Sequence, residues 1–414
     1  MDRRINRCRI CGSEELIDIL DLGEMAMTGI FPKHRDQPVT RGVLKLVKCF
    51  GAKDVACGLV QLAETFDPGE LYGMNYGYRS GLNASMVRHL RDKVARICKI
   101  IDLRKGDLIV DIGSNDGTTL AAYPEGYDLL GVDPIGEKFR EFYPPHIGLI
   151  EDFFSLQSVR ARVGARCARV ITSFSMFYDL EAPLEFMREV LALLEDDGIW
   201  VFEQSYLPAM LETNSYDTVC HEHLEYYALG QIKWMADRAG AKIVDVSFND
   251  VNGGSFSVVV AKAGAPQPEM PELRALLDRE RMAGLDGLAP YQAFAESVRK
   301  SGDEVRAFLD RARREGASVC GLGASTKGNV LLQFCNVTPQ DIACIGEVNA
   351  DKFGCYTPGT LIPIVPETEL FERKPDYLFV LPWHFRKFFE ANARFKDQRL
   401  VFPLPILSIR NAIS

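Results

Sequence analysis

The sequence predicts an α/β protein: a doubly wound central domain, a small cysteine-bearing module before it and a second α/β unit after it. Three observations carry this. Short apolar strands alternate with amphipathic helices from Gly106 to about Lys262, the pattern of a sheet covered on both faces. Four of the eleven cysteines, Cys8, Cys11, Cys49 and Cys57, fall near the start of the chain. A further series of strand-like segments begins at Ala317. At roughly 100–200 residues per domain, 414 residues suit the expected division into 1–70, 71–265 and 266–414.

The first module pairs Cys8-x-x-Cys11 with Cys49 and Cys57, which seven residues, FGAKDVA, separate. The stretch DLGEMAMTGIFPK between the two pairs is turn-rich and lacks a helical period. Such a segment is too small to bury a core unaided. Four thiolates can close a tetrahedral zinc site, and four protein ligands leave no position for a reactive water; the expectation is a structural zinc ion, with four free thiols as the alternative. An odd cysteine total and an N-terminus without an apolar export segment point to a reducing compartment, the cytoplasm.

The tract Tyr72-Gly-Met-Asn-Tyr-Gly-Tyr-Arg79-Ser-Gly-Leu-Asn83 follows. It suits either a linker or a flap of phenols and one guanidinium over a polar ligand. A helix is expected from Ser85 to about Leu103, with Met86, Leu90, Val94, Ile97 and Ile101 on one face. GDLIVDIG, DLLGVDP, ARVITSFSMF and GIWVFEQSY read as four core strands. EAPLEFMREVLALLEDDG is the helix before the fourth, expected to stop at Asp-Gly. QIKWMADRAG is another helix, and AKIVDVSFNDVNGGSFSVVVAK an antiparallel pair around Gly253-Gly254. Residues 268–315 are charged and helical, a connector to ASVCGLGASTKGNVLLQF and the strands in ACIGEVNADKFG, TLIPIV and DYLFVLPW.

Composition excludes other classes. A net charge of −9 offers no basic stripe to a phosphate backbone, so no nucleic-acid partner is expected. No apolar run approaches the ~20 residues of a membrane helix, so no membrane partner is expected either.

The strongest cofactor signal is Val110-Asp111-Ile112-Gly113-Ser114-Asn115-Asp116-Gly117, with Asp133 22 residues after Asp111. Gly113 permits the strand-to-helix turn, and Asn115 tolerates a left-handed backbone better than most residues. An acid at the end of the next strand is where dinucleotide folds hold a ribose diol. The loop lacks the G-x-G-x-x-G of NAD sites. Its D-x-G-x-x-x-G and surplus of carboxylates suit S-adenosylmethionine, which carries a sulfonium and an ammonium and no phosphate. Asp152, after a short strand, suits the adenine edge.

The sharpest catalytic feature is Tyr216-Asp-Thr-Val-Cys220-His221-Glu222-His223-Leu-Glu225-Tyr226-Tyr227, holding two of the six histidines. Alternate residues on a strand share a face, whereas on a helix i and i+2 diverge. A two-histidine metal site and a satisfied polar cluster are possible readings. The third is acid–base work by an imidazole of near-neutral pKa, oriented by Glu222, on an acidic C–H. In the last domain, Gly321-x-Gly323 to Gly328 is a strand-to-helix turn able to cradle a diphosphate, with Lys327 adding charge and Asn329 beside it.

DIGSNDG, FEQSYLPAML, CHEHLEYY, NGGS and KPDYLFVLPW together resemble the nucleotide-sugar C-methyltransferases of deoxysugar biosynthesis, above all the 3-C-methyltransferases of nucleotide-linked 4-keto-6-deoxysugars. The resemblance spans nearly the whole chain. It implies a class I S-adenosylmethionine-methyltransferase core, a zinc-binding N-terminal module and a C-terminal Rossmann-like domain that holds the nucleotide diphosphate of the sugar. It also implies that His223 is the general base, with Glu222 and His221 beside it. Cys220 stands where members often carry tyrosine. The chemistry would be an enolate at C3 attacking the methyl donor, with Tyr76, Tyr78, Arg79, Asn83 and Ser255 as sugar or enolate contacts. A monomer is expected, with a dimer as the alternative. Two rival classes are an O- or N-methyltransferase on a small polar or sugar acceptor, and a non-catalytic zinc-ribbon interaction protein with a degenerate core.

Overall fold

The computed structural model describes residues 3–52, 55–72 and 78–412. Its first module is an antiparallel sheet of β1 (Leu16–Ala26), β2 (Arg41–Cys49) and β3 (Val60–Leu62). The segment starting at Asp21, expected to be irregular, is strand as far as Ala26. Two register shifts, between Asp18 and Leu20 and between Asp21 and Glu24, break the inside–outside alternation by which a strand shows itself in sequence.

The central sheet contains β4 (Leu108–Ile112), β5 (Asp128–Val132), β6 (Gly148–Ile150), β7 (Ala168–Phe174), β8 (Leu194–Ser205), β9 (Ala241–Asn249) and β10 (Ser255–Lys262). Their order is β9-β10-β8-β7-β4-β5-β6. β4 to β8 run parallel, and β9 runs in the same direction; β10, between β9 and β8, is antiparallel to its neighbours. Helix α1 (Ala84–Ile100) buries Leu90, Val94 and Ile97, the stripe its apolar spacing predicts. Helix α2 (Pro183–Leu193) ends five residues before Gly198, earlier than Asp-Gly implied: Leu194 already pairs with Ala168, and a register shift carries β8 on to Ile199. Helix α3 (Leu229–Ala239) closes at Gly240, whose φ of 74° is the left-handed cap.

Helix α4 (Ala289–Arg314) is more than a connector. Tyr291, Phe294, Val298, Val305, Phe308 and Leu309 are buried in one apolar cluster with β1 and the C-terminal sheet. That sheet holds β11 (Val319–Leu322), β12 (Ile345–Glu347), β13 (Ile364–Pro366), β14 (Tyr377–Val380), β15 (Leu400–Phe402) and β16 (Ser408–Arg410) in the order β13-β12-β11-β14-β15-β16. This is the 3-2-1-4-5-6 order of dinucleotide folds, which hold their ligands beyond the strand ends at the switch point, here β11 and β14. Helix α5 (Thr326–Phe334) starts there, capped by Ser325.

The N-terminal sheet binds the other two units together. Leu20, Met25, Met27 and Leu46 share a core with Val330, Leu331 and Phe379, while Cys8, Cys49, Cys57 and Leu59 pack with Val110 and Trp200. Gln333 reads the Ala26 backbone in both directions, accepting from its N–H at 2.8 Å and donating to its carbonyl at 3.0 Å. Among the described residues no helix is long and apolar enough to cross a membrane.

Candidate active site

The four N-terminal cysteines converge. Their sulfurs all lie within 4.8 Å of one another, with Cys8–Cys57 at 3.4 Å and Cys11–Cys49 at 3.5 Å. A tetrahedral ion with Zn–S bonds near 2.3 Å needs sulfurs about 3.8 Å apart, so the donor set fits zinc. Within the long spacing between Cys49 and Cys57, Ala56 N–H donates to the Ala52 carbonyl, and Cys49 N–H donates to that of Leu59.

At the end of β4 the chain turns through Gly113 (φ 73°) and Asn115 (φ 51°). A Cβ on Gly113 would stand 3.0 Å from Met176 Cγ, so the loop closes tightly over the segment following β7. Asp133 holds this loop: Oδ2 accepts from Asn115 N–H at 2.7 Å and Oδ1 from Ile135 N–H at 2.9 Å. Asp111, beneath it, accepts from Thr172 Oγ1 at 2.5 Å. Burial raises Asp111 to about 7 and Asp133 to about 6. Asp152 is exposed beyond β6, accepting from Phe153 N–H.

The glycine-tyrosine tract divides. Tyr76 lies outside the described residues. The next residues lie across the cofactor loop: Tyr78 carbonyl accepts from Asn115 Nδ2 (3.2 Å), Ser80 N–H donates to Asn115 Oδ1 (2.9 Å) and Gly81 N–H to Asp116 Oδ2 (2.8 Å). Arg79 Nε is 3.8 Å from Asp116, with the guanidinium 4.0 Å over the Phe142 ring. Tyr78 and Arg79 therefore meet the loop, not the histidine cluster. Asn83 caps α1, accepting from Ser85 N–H at 2.9 Å.

The carboxylates around this loop suit a cationic ligand such as S-adenosylmethionine. A cation favours the ionised acids, so binding should expel protons between pH 6 and 7. Affinity is expected to be roughly tenfold weaker at pH 5.5 than at pH 8. Calorimetry in buffers of different ionisation enthalpy checks this; a binding heat independent of buffer would refute it.

From Asn214 to Leu229 every residue is buried except His223. The run is pinned at its C-terminal end, where Glu225 and Tyr226 pair with Gln61 and Val60 and extend the N-terminal sheet. His221 and His223 sit on a turn and not on a strand, so their rings diverge. His221 is 3.4 Å from the Gly42 carbonyl through Nε2 and edge-on to Phe66 at 4.8 Å; burial lowers it to about 4. His223 Nδ1 lies 2.9 Å from the Thr218 carbonyl, and its ring meets Tyr178 edge-on at 4.3 Å. A carbonyl can only accept, so Nδ1 carries the hydrogen and Nε2 keeps its lone pair. Crowding by protein atoms, then the charge of Lys327, lower His223 to about 3. The near-neutral value expected for it is thus not what this environment gives; the ring is neutral at pH 7.

The orienting acceptor of His223 is Thr218, not Glu222. Glu222 turns the other way, towards Cys220 and Thr28, and a Cβ on Gly29 would fall 2.2 Å from its Oε1. Its Oε2 has no partner among the described residues, and burial raises its pKa. Cys220 is wholly buried, its thiol pushed well up first by burial and then by Glu222. Glu225 faces Arg9 at 3.9 Å. Ser255 Oγ donates to the Val251 carbonyl at 2.9 Å. Asn329 is buried, donating to the Thr28 carbonyl at 2.8 Å. Lys327 reaches out of its own turn to the Asn252 carbonyl of the central domain, at 2.9 Å.

Several residues enter to which the sequence assigns no role. Met176, Tyr178 and Asp179, just after β7, touch Gly113, His223 and the Tyr72 hydroxyl respectively. One short segment thus joins the cofactor loop to the imidazole. Trp383 Nε1 donates to Asp217 at 2.8 Å across the domain junction. The available signal was position: ligands gather beyond the carboxyl ends of parallel strands.

Residues 8–72 match a family described as a zinc binding domain, 82–246 a methyltransferase domain, and 250–405 a C-methyltransferase C-terminal domain. The chain is 29% identical to C-methyltransferase NovU of Streptomyces niveus over 416 residues, covering 97% of this chain and 96% of that one. Among solved structures, the CcbJ methyltransferase of Streptomyces caelestis aligns at TM-score 0.34 with 14% identity, covering 42% of this chain and 89% of its own. An S-adenosylmethionine-dependent methyltransferase of Clostridium acetobutylicum aligns at 0.34 with 12% identity, covering 43% and 92%.

Proposed function

We propose a reaction from the premise that this chain is an S-adenosylmethionine-dependent C-methyltransferase, with a class I core and a zinc-binding N-terminal domain: it methylates C3 of a nucleotide-linked 4-keto-6-deoxyhexose. The observation that carries this reading is His223, the one accessible residue of a buried run, its Nδ1–H fixed by Thr218 and its Nε2 free.

A hydrogen on the carbon beside a ketone is acidic because the carbonyl oxygen takes up the charge. His223 Nε2 takes the C3 proton; the C–H electron pair forms the C3=C4 bond, and the carbonyl pair moves to O4. When bound, the cofactor supplies a methyl group on a sulfonium, which departs as a neutral thioether as C3 bonds to the methyl and the C4 ketone returns. The proton stays on His223 until water removes it. Neutral at pH 7, the imidazole is already in the form that accepts. The segment Met176–Asp179 spaces it from the Gly113 loop, so positioning and charge stabilisation do the remaining work. Asp111, Gly113, Asn115, Asp133 and Asp152 serve the cofactor, and the crevice beyond β11 and β14 takes the nucleotide diphosphate.

The test is a set of 4-keto-6-deoxy nucleotide sugars in deuterated water without methyl donor. Exchange at C3, seen by NMR and mass spectrometry, is expected. Methylation of an acceptor with no C–H exchange would favour an O- or N-methyltransferase instead.

A further inference from the structure

Lys327 belongs to the C-terminal domain by sequence and to the central site by position. It lies in the first turn of α5, where a diphosphate would be cradled. Its ammonium nevertheless leaves that turn and donates to the carbonyl of Asn252, in the bend between β9 and β10. Asn252 holds a left-handed backbone, φ 56°, so the bend presents this carbonyl from a constrained geometry. Next to it, a Cβ on Gly253 would lie 3.6 Å from the Trp383 ring, and that ring donates to Asp217. Lys327 thus reaches into the junction formed by the β9–β10 bend, Trp383 and the His223 turn.

The ammonium has three donors and one described hydrogen bond. Among the described residues it has no carboxylate within ion-pair distance; Asp217 and Cys220 act on it only through space. Its charge depresses both His223 and His384. A partly buried ammonium without a carboxylate is costly to keep, and its charge is felt by the base. On the ketosugar reading the negative charge develops on O4, two bonds from the carbon that gives up its proton, so a cation close to the base is within reach of it. On the same reading the diphosphate is attached at C1, across the ring from C4.

We infer that Lys327 is a catalytic residue that binds O4 of the sugar and stabilises the enolate oxygen, and that it is not a diphosphate ligand. This rests on the ketosugar reading above. Electron flow is unchanged: the pair pushed onto O4 meets a fixed ammonium, and no proton need be transferred. Placing a cation beside the base also keeps the imidazole neutral until the C–H proton is delivered.

Lys327→Met tests it, with Lys327→Arg as the charge-preserving control. Removing one preorganised oxyanion donor costs about 10²–10³ in rate; C3 exchange and methylation should both fall by about that much in Lys327→Met, with partial recovery in Lys327→Arg. Binding of thymidine, uridine and guanosine diphosphates, by calorimetry, should change less than about twofold for whichever of them binds. The melting temperature should hold or rise, because an unpaired charge leaves the interior. Exchange retained at saturating sugar, together with lost diphosphate affinity, would overturn the assignment, as would a variant whose melting temperature and activity collapse together. A wild-type enzyme that exchanges no C3 proton would instead sink the ketosugar reading, so the two can fail separately.

Discussion

His223→Asn is expected to slow methylation and C3 exchange together by about 10³-fold, the range a positioned general base supplies. Binding of S-adenosylmethionine should be unaltered, because the cofactor loop is held by Asp133 and not by the imidazole. Asparagine keeps a donor for the Thr218 carbonyl but lacks a basic nitrogen, so geometry and basicity are separated. The wild-type pH profile of kcat/KM should carry no acid limb from His223 near its usual value. With its pKa lowered to about 3, this base is deprotonated, and therefore competent, throughout the neutral range; it is lost only as pH falls towards that value. Methylation surviving at wild-type rate in His223→Asn would remove the imidazole from the mechanism. Loss of cofactor binding in the same variant would show that its role is structural.

Stripping the metal should do comparable damage by another route. Cys8→Ser, or a strong chelator, is expected to release one zinc per chain and to lower the melting temperature by about 10 °C or more, since structural zinc binding is worth on the order of 10 kcal/mol. The reason is placement. Cys8, Cys49 and Cys57 lie in the same apolar core as Val110 and Trp200, and the sheet they anchor pairs with Glu225 and Tyr226, two and three residues past His223. Loosening the knuckle therefore loosens the His223 turn. Metal analysis together with thermal unfolding reads this out. A Cys8→Ser protein with no bound zinc and an unchanged melting temperature would contradict it.

The local features were legible in the sequence because they depend on local chemistry. The Gly113–Gly117 turn, the strand–helix alternation of the core, the hairpin at Gly253-Gly254 and the C-x-x-C knuckle are set by backbone freedom, apolar period and ligand spacing over a few residues. β1 is obscured in the sequence because its register shifts erase alternation, and α4 reads as a connector because its charged face dominates its composition. Long-range placement decided the rest. Only the fold sends His221 to Gly42 and His223 to Thr218, since residues on a turn diverge where those on a strand would align. Only the fold takes Lys327 out of its own loop into another domain, sets Tyr78 and Arg79 on the cofactor loop, and turns Asn329 inward to Thr28. Sequence by itself determined which chemistries this chain possesses, because those reside in side-chain types and short spacings. Tertiary structure alone decided which of them meet, because a side chain's direction and its pKa are set by neighbours that the chain brings from far away.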